Sequence, residues 1–311
     1  MSVSQKVRCN YLKYKHWYYL TPVLILLVIF NFFPLIKTIF VSLDSGYNKF
    51  SDVFSYSFSF KNYHKIFADP NFRKTLFNTC ILVFTAVPFS IFLSFIIALV
   101  LNSVYQRFLK QFFQIVFFLP YLTNSVVMGM VFAFLFYHNI YSFKNSSEGL
   151  FNQMLGLEAD WISAASSYSH KMFVLILYVV WRTLPFQILI FSVGFKNISK
   201  DYYDAACIDG ASKITILKKI TLPLLKPMIF YQLIITMIQV FKEYESVVGI
   251  FGPHESKVNT IVGYIYDQLS NPLTDAHAKA AAATIILLLI SIFFTIVNFL
   301  LYPQKNKSKK Y

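Results

Sequence analysis

Six times along this chain a run of about 20 or more residues passes with almost no charge. The runs lie near Trp17–Ile36, Cys80–Leu101, Phe112–Tyr137, Met172–Phe195, Pro227–Phe251 and Ala278–Tyr302. About 20 helical residues cross a hydrocarbon layer of about 30 Å. Inside such a layer the backbone has no water to bond, so each run must satisfy its own amides as a helix. A barrel would instead show alternating segments of about ten residues. The expected fold class is therefore an all-α membrane protein with six transmembrane helices. Composition agrees: 57% of the 311 residues are hydrophobic and 14% charged, against about 45–50% and about 25% in soluble domains. The first run is too long for a signal-peptide core and lacks a small-residue cleavage site after it, so it reads as a retained helix.

The net charge of +14 is not a nucleic-acid footprint, because the cations fall between apolar runs and not on one face with base-reading motifs. Their distribution gives topology. Lys6, Arg8, Lys13 and Lys15 precede the first run, and Arg107 and Lys110 follow the second. Lys196, Lys200, Lys213, Lys218, Lys219 and Lys226 follow the fourth, and Lys305, Lys307, Lys309 and Lys310 end the chain. The alternate loops hold fewer: Lys49, Lys61, Lys65, Arg73, Lys74, Lys144, Lys171, Lys257 and Lys279. The positive-inside bias then puts both termini and the 196–226 loop in the cytoplasm of a multi-pass protein in the cell membrane. Three divisions follow: a cytoplasmic tail over 1–16, a membrane domain over 17–302, and a basic cytoplasmic tail over 303–311. Cys9, Cys80 and Cys207 lie in separate segments without CxxC spacing, which predicts unpaired thiols and no zinc site.

The 196–226 loop is neither lipid-soluble nor featureless. Ser199 can cap a helix starting at Lys200, with Asp201 and Asp204 near its positive end. Gly210 can end it. A second helix follows from Ala211, with Ile214, Leu217 and Ile220 on one side and Lys213, Lys218 and Lys219 free to face water. Pro223 and Pro227 are expected to close the unit before the fifth span.

Within this loop Asp204-Ala205-Ala206, Gly210, Ile220, Leu222 and Pro223 resemble the EAA loop of ABC importer permeases: Glu-Ala-Ala, three residues, Gly, nine residues, Ile-x-Leu-Pro. Ile208-Asp209-Gly210-Ala211 matches a common extension, while Asp204 stands for the usual Glu and Cys207 for a frequent Arg. Three further segments resemble the carbohydrate-type members, and most closely the first of their two paired permeases: FKNYHKIFADPNFRKTLFNT at Phe60–Thr79, FFLPYLTN at Phe117–Asn124 and VWRTLPFQILIF at Val180–Phe191. The resemblance implies the type I importer permease fold and a path for a sugar or glycerol-phosphate-like solute. It implies that Asp204, Ala205, Ala206, Asp209, Gly210, Ala211, Ile220, Leu222 and Pro223 form the contact with cytoplasmic ATPase subunits. It further implies a second permease, most simply a paralogue, and an extracytoplasmic solute-binding protein or lipoprotein.

No chemistry of the chain's own is legible. A phosphate-binding loop needs two glycines five positions apart, and none of the nine glycines is so spaced. The six histidines form no HExxH, and no paired-carboxylate or Ser/His/Asp arrangement is present, so neither an enzyme, a metal nor a cofactor is expected. Charges inside spans are costly, about 2.5–3.5 kcal/mol each, and face a bundle interior or a cavity. Arg182 in the fourth run and Glu243 and Glu245 in the fifth lie at similar depth from the outer end, which predicts that Arg182 faces one of them. Asn124, Gln187 and Gln239 are candidate contacts for a hydroxyl-rich solute, together with these charges. Gln232 reads as interhelical glue, and Ala278 and Ala280–Ala283 as a close-packing face. An ion-coupled secondary transporter is the alternative; it would show inverted repeats and has no use for the EAA pattern.

Overall fold

The computed structural model describes residues 17–48, 50, 57–103, 106–137, 149–156, 159–253 and 255–301. The tails over 1–16 and 303–311, with Cys9, Lys49, Lys144, His138 and His254, lie outside the described residues. In chain order the helices are α1 (Trp17–Leu43), α2 (Lys61–Ala68), α3 (Pro70–Ser103), α4 (Arg107–Leu122), α5 (Ser125–Leu135), α6 (Leu150–Leu155) and α7 (Tyr168–Lys196). There follow α8 (Lys200–Ile208), α9 (Lys213–Phe241), α10 (Glu245–Phe251), α11 (Ile261–Ser270) and α12 (Ala276–Leu301). Among the described residues five unbroken helices, α1, α3, α7, α9 and α12, are long and apolar enough to cross a membrane, and the bent pair α4–α5 makes a sixth crossing if counted as one span.

The chain divides into two units. The first comprises Met1–Asp69 and Ile265–Ile286. The first run was expected to end at Ile36, but α1 continues to Leu43 because Lys37 ends an apolar run without breaking helix geometry. No residue of its most apolar stretch is buried, so lipid or another subunit must cover it. After α1 one antiparallel bridge joins Asp44 to Phe58. Asn62 Nδ2 locks the turn by donating to the carbonyls of Ser42 (3.1 Å) and Asp44 (2.9 Å). Val41, Tyr47, Ala278 and Ala281 form an apolar cluster. Asp275 lies between Lys65 (2.8 Å) and Lys279 (3.2 Å). Burial pushes its carboxyl up, but the hydrogen bonds from Lys65 and Lys279 outweigh it and hold the group below the usual carboxylate range.

The second unit comprises Pro70–Tyr264 and Leu287–Tyr311. Its helices bury small and polar residues together with apolar ones and leave further large apolar side chains facing outward, where lipid can cover them. Helix α3 buries Thr75, Thr79, Ala86, Ser90, Ser94 and Ala98, while Phe77, Phe84, Phe89 and Phe92 are exposed. The buried hydroxyls cost nothing in place, because Thr75, Ser90 and Ser94 each donate to a carbonyl three residues back. Against this face lies α7, where Phe95 meets Phe191 edge to face at 5.7 Å. At one end of the unit a buried ion pair joins Lys171 to Glu255. Beside it Asn78 Nδ2 donates to the carbonyls of Lys257 (3.0 Å) and Asn259 (2.9 Å), tying the 255–260 loop to α3.

Two spans are broken where one continuous helix was expected. The run Phe112–Tyr137 is not one helix: α4 and α5 meet at a bend of 102°. Pro120 withholds one backbone donor near the end of α4, and Asn124 starts a new helix by accepting at Oδ1 from the amides of Val126 (2.9 Å) and Val127 (3.3 Å). Likewise Pro227–Phe251 divides, since α9 ends at Phe241 and α10 begins at Glu245. A third correction concerns Pro223 and Pro227, which do not close the preceding loop. The helix from Lys213 runs through both, with a π-helical turn over Leu217–Thr221. There the Leu222 amide bonds the Leu217 carbonyl, and the wider turn precedes the proline ring at 223 that an ideal α-helix would not accommodate.

The two half-helices α5 and α10 cross with their backbones in contact. A Cβ on Gly129 would lie 2.8 Å from the Gly249 Cα, and one on Gly249 would lie 2.6 Å from the Val126 carbonyl oxygen. The buried Tyr178 hydroxyl on α7 donates to the Ser125 carbonyl at 2.6 Å, fixing the start of α5. Tyr178→Phe removes one oxygen and with it the second bond to the carbonyl at the first turn of α5. The expected cost is about 1–2 kcal/mol, read as a lowered thermal midpoint of the solubilised protein; an unchanged midpoint would show that the bond contributes nothing net.

Candidate functional site

The second break and the end of α4 border one cavity. It holds about 560 Å³ and is lined by Tyr121 at the end of α4, by Val179, Arg182, Thr183 and Phe186 of α7, and by Gln239 and Val240 of α9. Lys242, Glu243, Tyr244 and Glu245 of the second break complete it. The Tyr121 and Phe186 rings stack nearly parallel, 18° apart with centroids 5.7 Å apart.

Arg182 meets both carboxylates that depth matching selected. Its Nη1 lies 3.3 and 3.4 Å from the two carboxylate oxygens of Glu243, and its Nη2 lies 3.4 Å from Glu245 Oε2. The two glutamates differ in freedom. The Glu243 side chain is 10% exposed, and its Oε1 also accepts from the Ser246 amide (3.1 Å) and hydroxyl (2.6 Å). It therefore acts as the cap of α10 while holding Arg182. The Glu245 side chain is 58% exposed, and Arg182 is its partner.

The remaining candidates separate. Gln239 lines the cavity. Asn124 does not, since its side chain is spent capping α5. Gln187 follows Phe186 directly but points to the buried side of α7, where its Nε2 donates to Ser90 Oγ (3.0 Å) and Thr236 Oγ1 (2.9 Å). Gln232 donates to the Gln187 carbonyl (2.9 Å), so both glutamines, buried, join α3, α7 and α9. Sequence reasoning missed Tyr121, Phe186 and Lys242 as lining residues. The available signal was their place beside helix-breaking residues: Pro120 for Tyr121, Pro185 for Phe186 and the charged run at 242–245 for Lys242.

The 196–226 segment forms a second candidate surface. Ser199 Oγ accepts from the Asp201 amide at 3.3 Å, so α8 starts where the serine cap predicts. It ends on Gly210, whose φ of +71° is left-handed. The Ala211 amide bonds the Ala206 carbonyl (2.9 Å) and the Gly210 amide the Cys207 carbonyl (3.1 Å), the six-to-one and five-to-two pair of a Schellman cap. Ser212 Oγ accepts from the Thr215 amide and starts α9. Tyr203 and Thr221 hydroxyls, 3.3 Å apart, hold the two limbs together. Ala206 is buried between them, while Asp204, Ala205, Cys207, Asp209 and Gly210 are exposed. Ile208 is 87% exposed and Ile214 65%, so Ile214 does not pack with Leu217 and Ile220 on an inner face as its spacing suggested. Leu222 is half-buried and Pro223 exposed at the entry to the fifth span.

A family model described as the binding-protein-dependent transport system inner membrane component matches residues 86–307. The probable ABC transporter permease protein MG188 of Mycoplasma genitalium is 27% identical, over 89% of this chain and 82% of that protein. The arabinooligosaccharides transport system permease protein AraP of Halalkalibacterium halodurans is 30% identical, over 88% of this chain and 83% of that protein. A crystal structure of a bacterial alginate ABC transporter, in complex with an alginate pentasaccharide-bound periplasmic protein, superposes with a TM-score of 0.76 at 20% identity, covering 98% of each chain.

Proposed function

From the premise that this chain belongs to the binding-protein-dependent transport system inner membrane components, as an ABC importer permease, we propose how it works. The cavity around Arg182, Gln239, Glu243 and Glu245 is a station on the path of a sugar or glycerol-phosphate-like solute. The drive arrives through Asp204–Pro223, which docks on a separate cytoplasmic ATPase. Both termini share that cytoplasmic side, and a paralogous second permease completes the path. A solute-binding protein delivers cargo from the opposite face. As the membrane subunit of its family the chain is not itself an enzyme, and the ion-coupled alternative has no support from its relatives.

The observation that carries this reading is the surface of α8. A nine-residue helix that leaves an isoleucine 87% exposed beside small residues suits burial in a partner's cleft, where close backbone approach needs Ala and Gly. Burying Ile208 fully is worth about 1.5–3 kcal/mol. Ile208→Asp should therefore cut retention of the ATPase by the purified permease, and the ATP turnover it supports, at least tenfold. Gly210→Val should do the same by straining the left-handed cap. Retention equal to wild type in both variants would overturn the docking role.

A further inference from the structure

The charges around the cavity decide which solutes it can hold. An unengaged guanidinium is a preformed fork for carboxylate or phosphate oxygens, and Arg182 is the guanidinium among the cavity's lining residues. Each of its terminal nitrogens already faces a carboxylate, Nη1 that of Glu243 at 3.3 Å and Nη2 that of Glu245 at 3.4 Å. Glu243 cannot leave without uncapping α10, because the Ser246 amide and hydroxyl hold the same oxygen that faces Arg182. Glu245 has no such second hold; it lines the cavity, and more than half of its side chain is exposed. Lys242 also lines the cavity. With it the four lining charges balance, two cationic and two anionic, so no excess positive field draws an anion in.

We propose that Glu245 is a specificity-determining residue, a charge filter that occupies the outer nitrogen of Arg182. With it in place, neutral polyhydroxylated solutes bind through donors and acceptors such as Gln239 and Tyr121, while phosphate- or carboxylate-bearing solutes are rejected. An anion reaching the fork must displace Glu245 and then sit beside its charge. This rests on the cavity being part of the solute path, and it narrows that path from sugars or glycerol phosphates to uncharged polyols and sugars.

The test uses inorganic sulfate as a probe of the fork, measured as saturable binding of radiolabelled sulfate to the full transport complex in lipid nanodiscs. The complex is preloaded with MgADP so that nucleotide sites take none. Wild type should show no binding that Arg182→Gln removes. Glu245→Gln and the smaller Glu245→Ser should each bind sulfate at least tenfold more tightly, and the gain should vanish in R182Q/E245Q. Wild-type binding as tight as in E245Q would overturn the filter, as would a gain that survives loss of Arg182 or an absence of any gain. Wild-type binding lost in Lys242→Gln would also overturn it, by making Lys242 the anion site. Sulfate occupancy requires neither transport nor coupling, so failure of the ATPase-docking reading would leave this result unaffected.

Discussion

Replacing Gly249 with valine should prevent the bundle from reaching its native packing. An alanine at this position already places its Cβ 2.6 Å from the Val126 carbonyl oxygen and 3.0 Å from the Gly129 Cα. Both obstructing atoms are backbone, so no rotamer change makes room. Helix α10 must separate from α5, and each carries one side of the structure that positions the Arg182 cavity. Overpacking where side chains can yield costs about 1–3 kcal/mol. A clash against rigid backbone, enlarged by two methyl groups, should exceed about 3 kcal/mol, the upper end of that range. Gly249→Val, and independently Gly129→Val, should then give little monodisperse protein after solubilisation and a strongly lowered unfolding midpoint. A wild-type yield and midpoint in both would mean that the half-helices do not cross as closely as the structure has them.

That crossing was not legible in the sequence, and the reason is physical. Two glycines 120 positions apart carry no mark of mutual approach; only folding reveals that both must lack a Cβ. The features that were legible are those whose cause is local. The Ser199 cap, the Gly210 stop and the long apolar runs each follow from chemistry within a few residues. The Arg182 pairing was legible for a different reason, since charges in lipid must find partners and only two carboxylates lay at its depth. Hydropathy measures how apolar a run is and not whether it is straight, so the helix break at Thr123–Asn124 leaves no mark inside a continuous apolar stretch. The charges at 242–245 were read as lying within a helix when they mark its interruption. For Gln187, an amide suits a sugar hydroxyl and a neighbouring helix equally well. Its buried bonds to Ser90 and Thr236 place it between helices.

The asymmetry between the two glutamates makes the Arg182 site separable by mutation. Arg182→Gln leaves Glu243 ionised at 10% exposure, with the Ser246 donors but without its guanidinium. Removing one partner of a fully buried pair costs about 3–5 kcal/mol, mostly from the charge left behind; here Arg182 is 34% exposed, so a smaller loss is expected. Glu243→Gln introduced into the R182Q protein takes that charge away, and should recover much of the lost stability. Glu245→Gln in the same background should recover little, because a carboxylate exposed by more than half is already hydrated and its pair is worth about 0–1 kcal/mol. Thermal unfolding of the solubilised single and double variants reads the difference. The Arg182–Glu243 coupling should exceed about 1 kcal/mol, within the range seen for residues in direct contact, and the Arg182–Glu245 coupling should fall below it. Equal rescue by both glutamines would mean that Glu243 is as well solvated as Glu245. An R182Q protein as stable as wild type would mean that the guanidinium is held there for solute and contributes nothing to the fold.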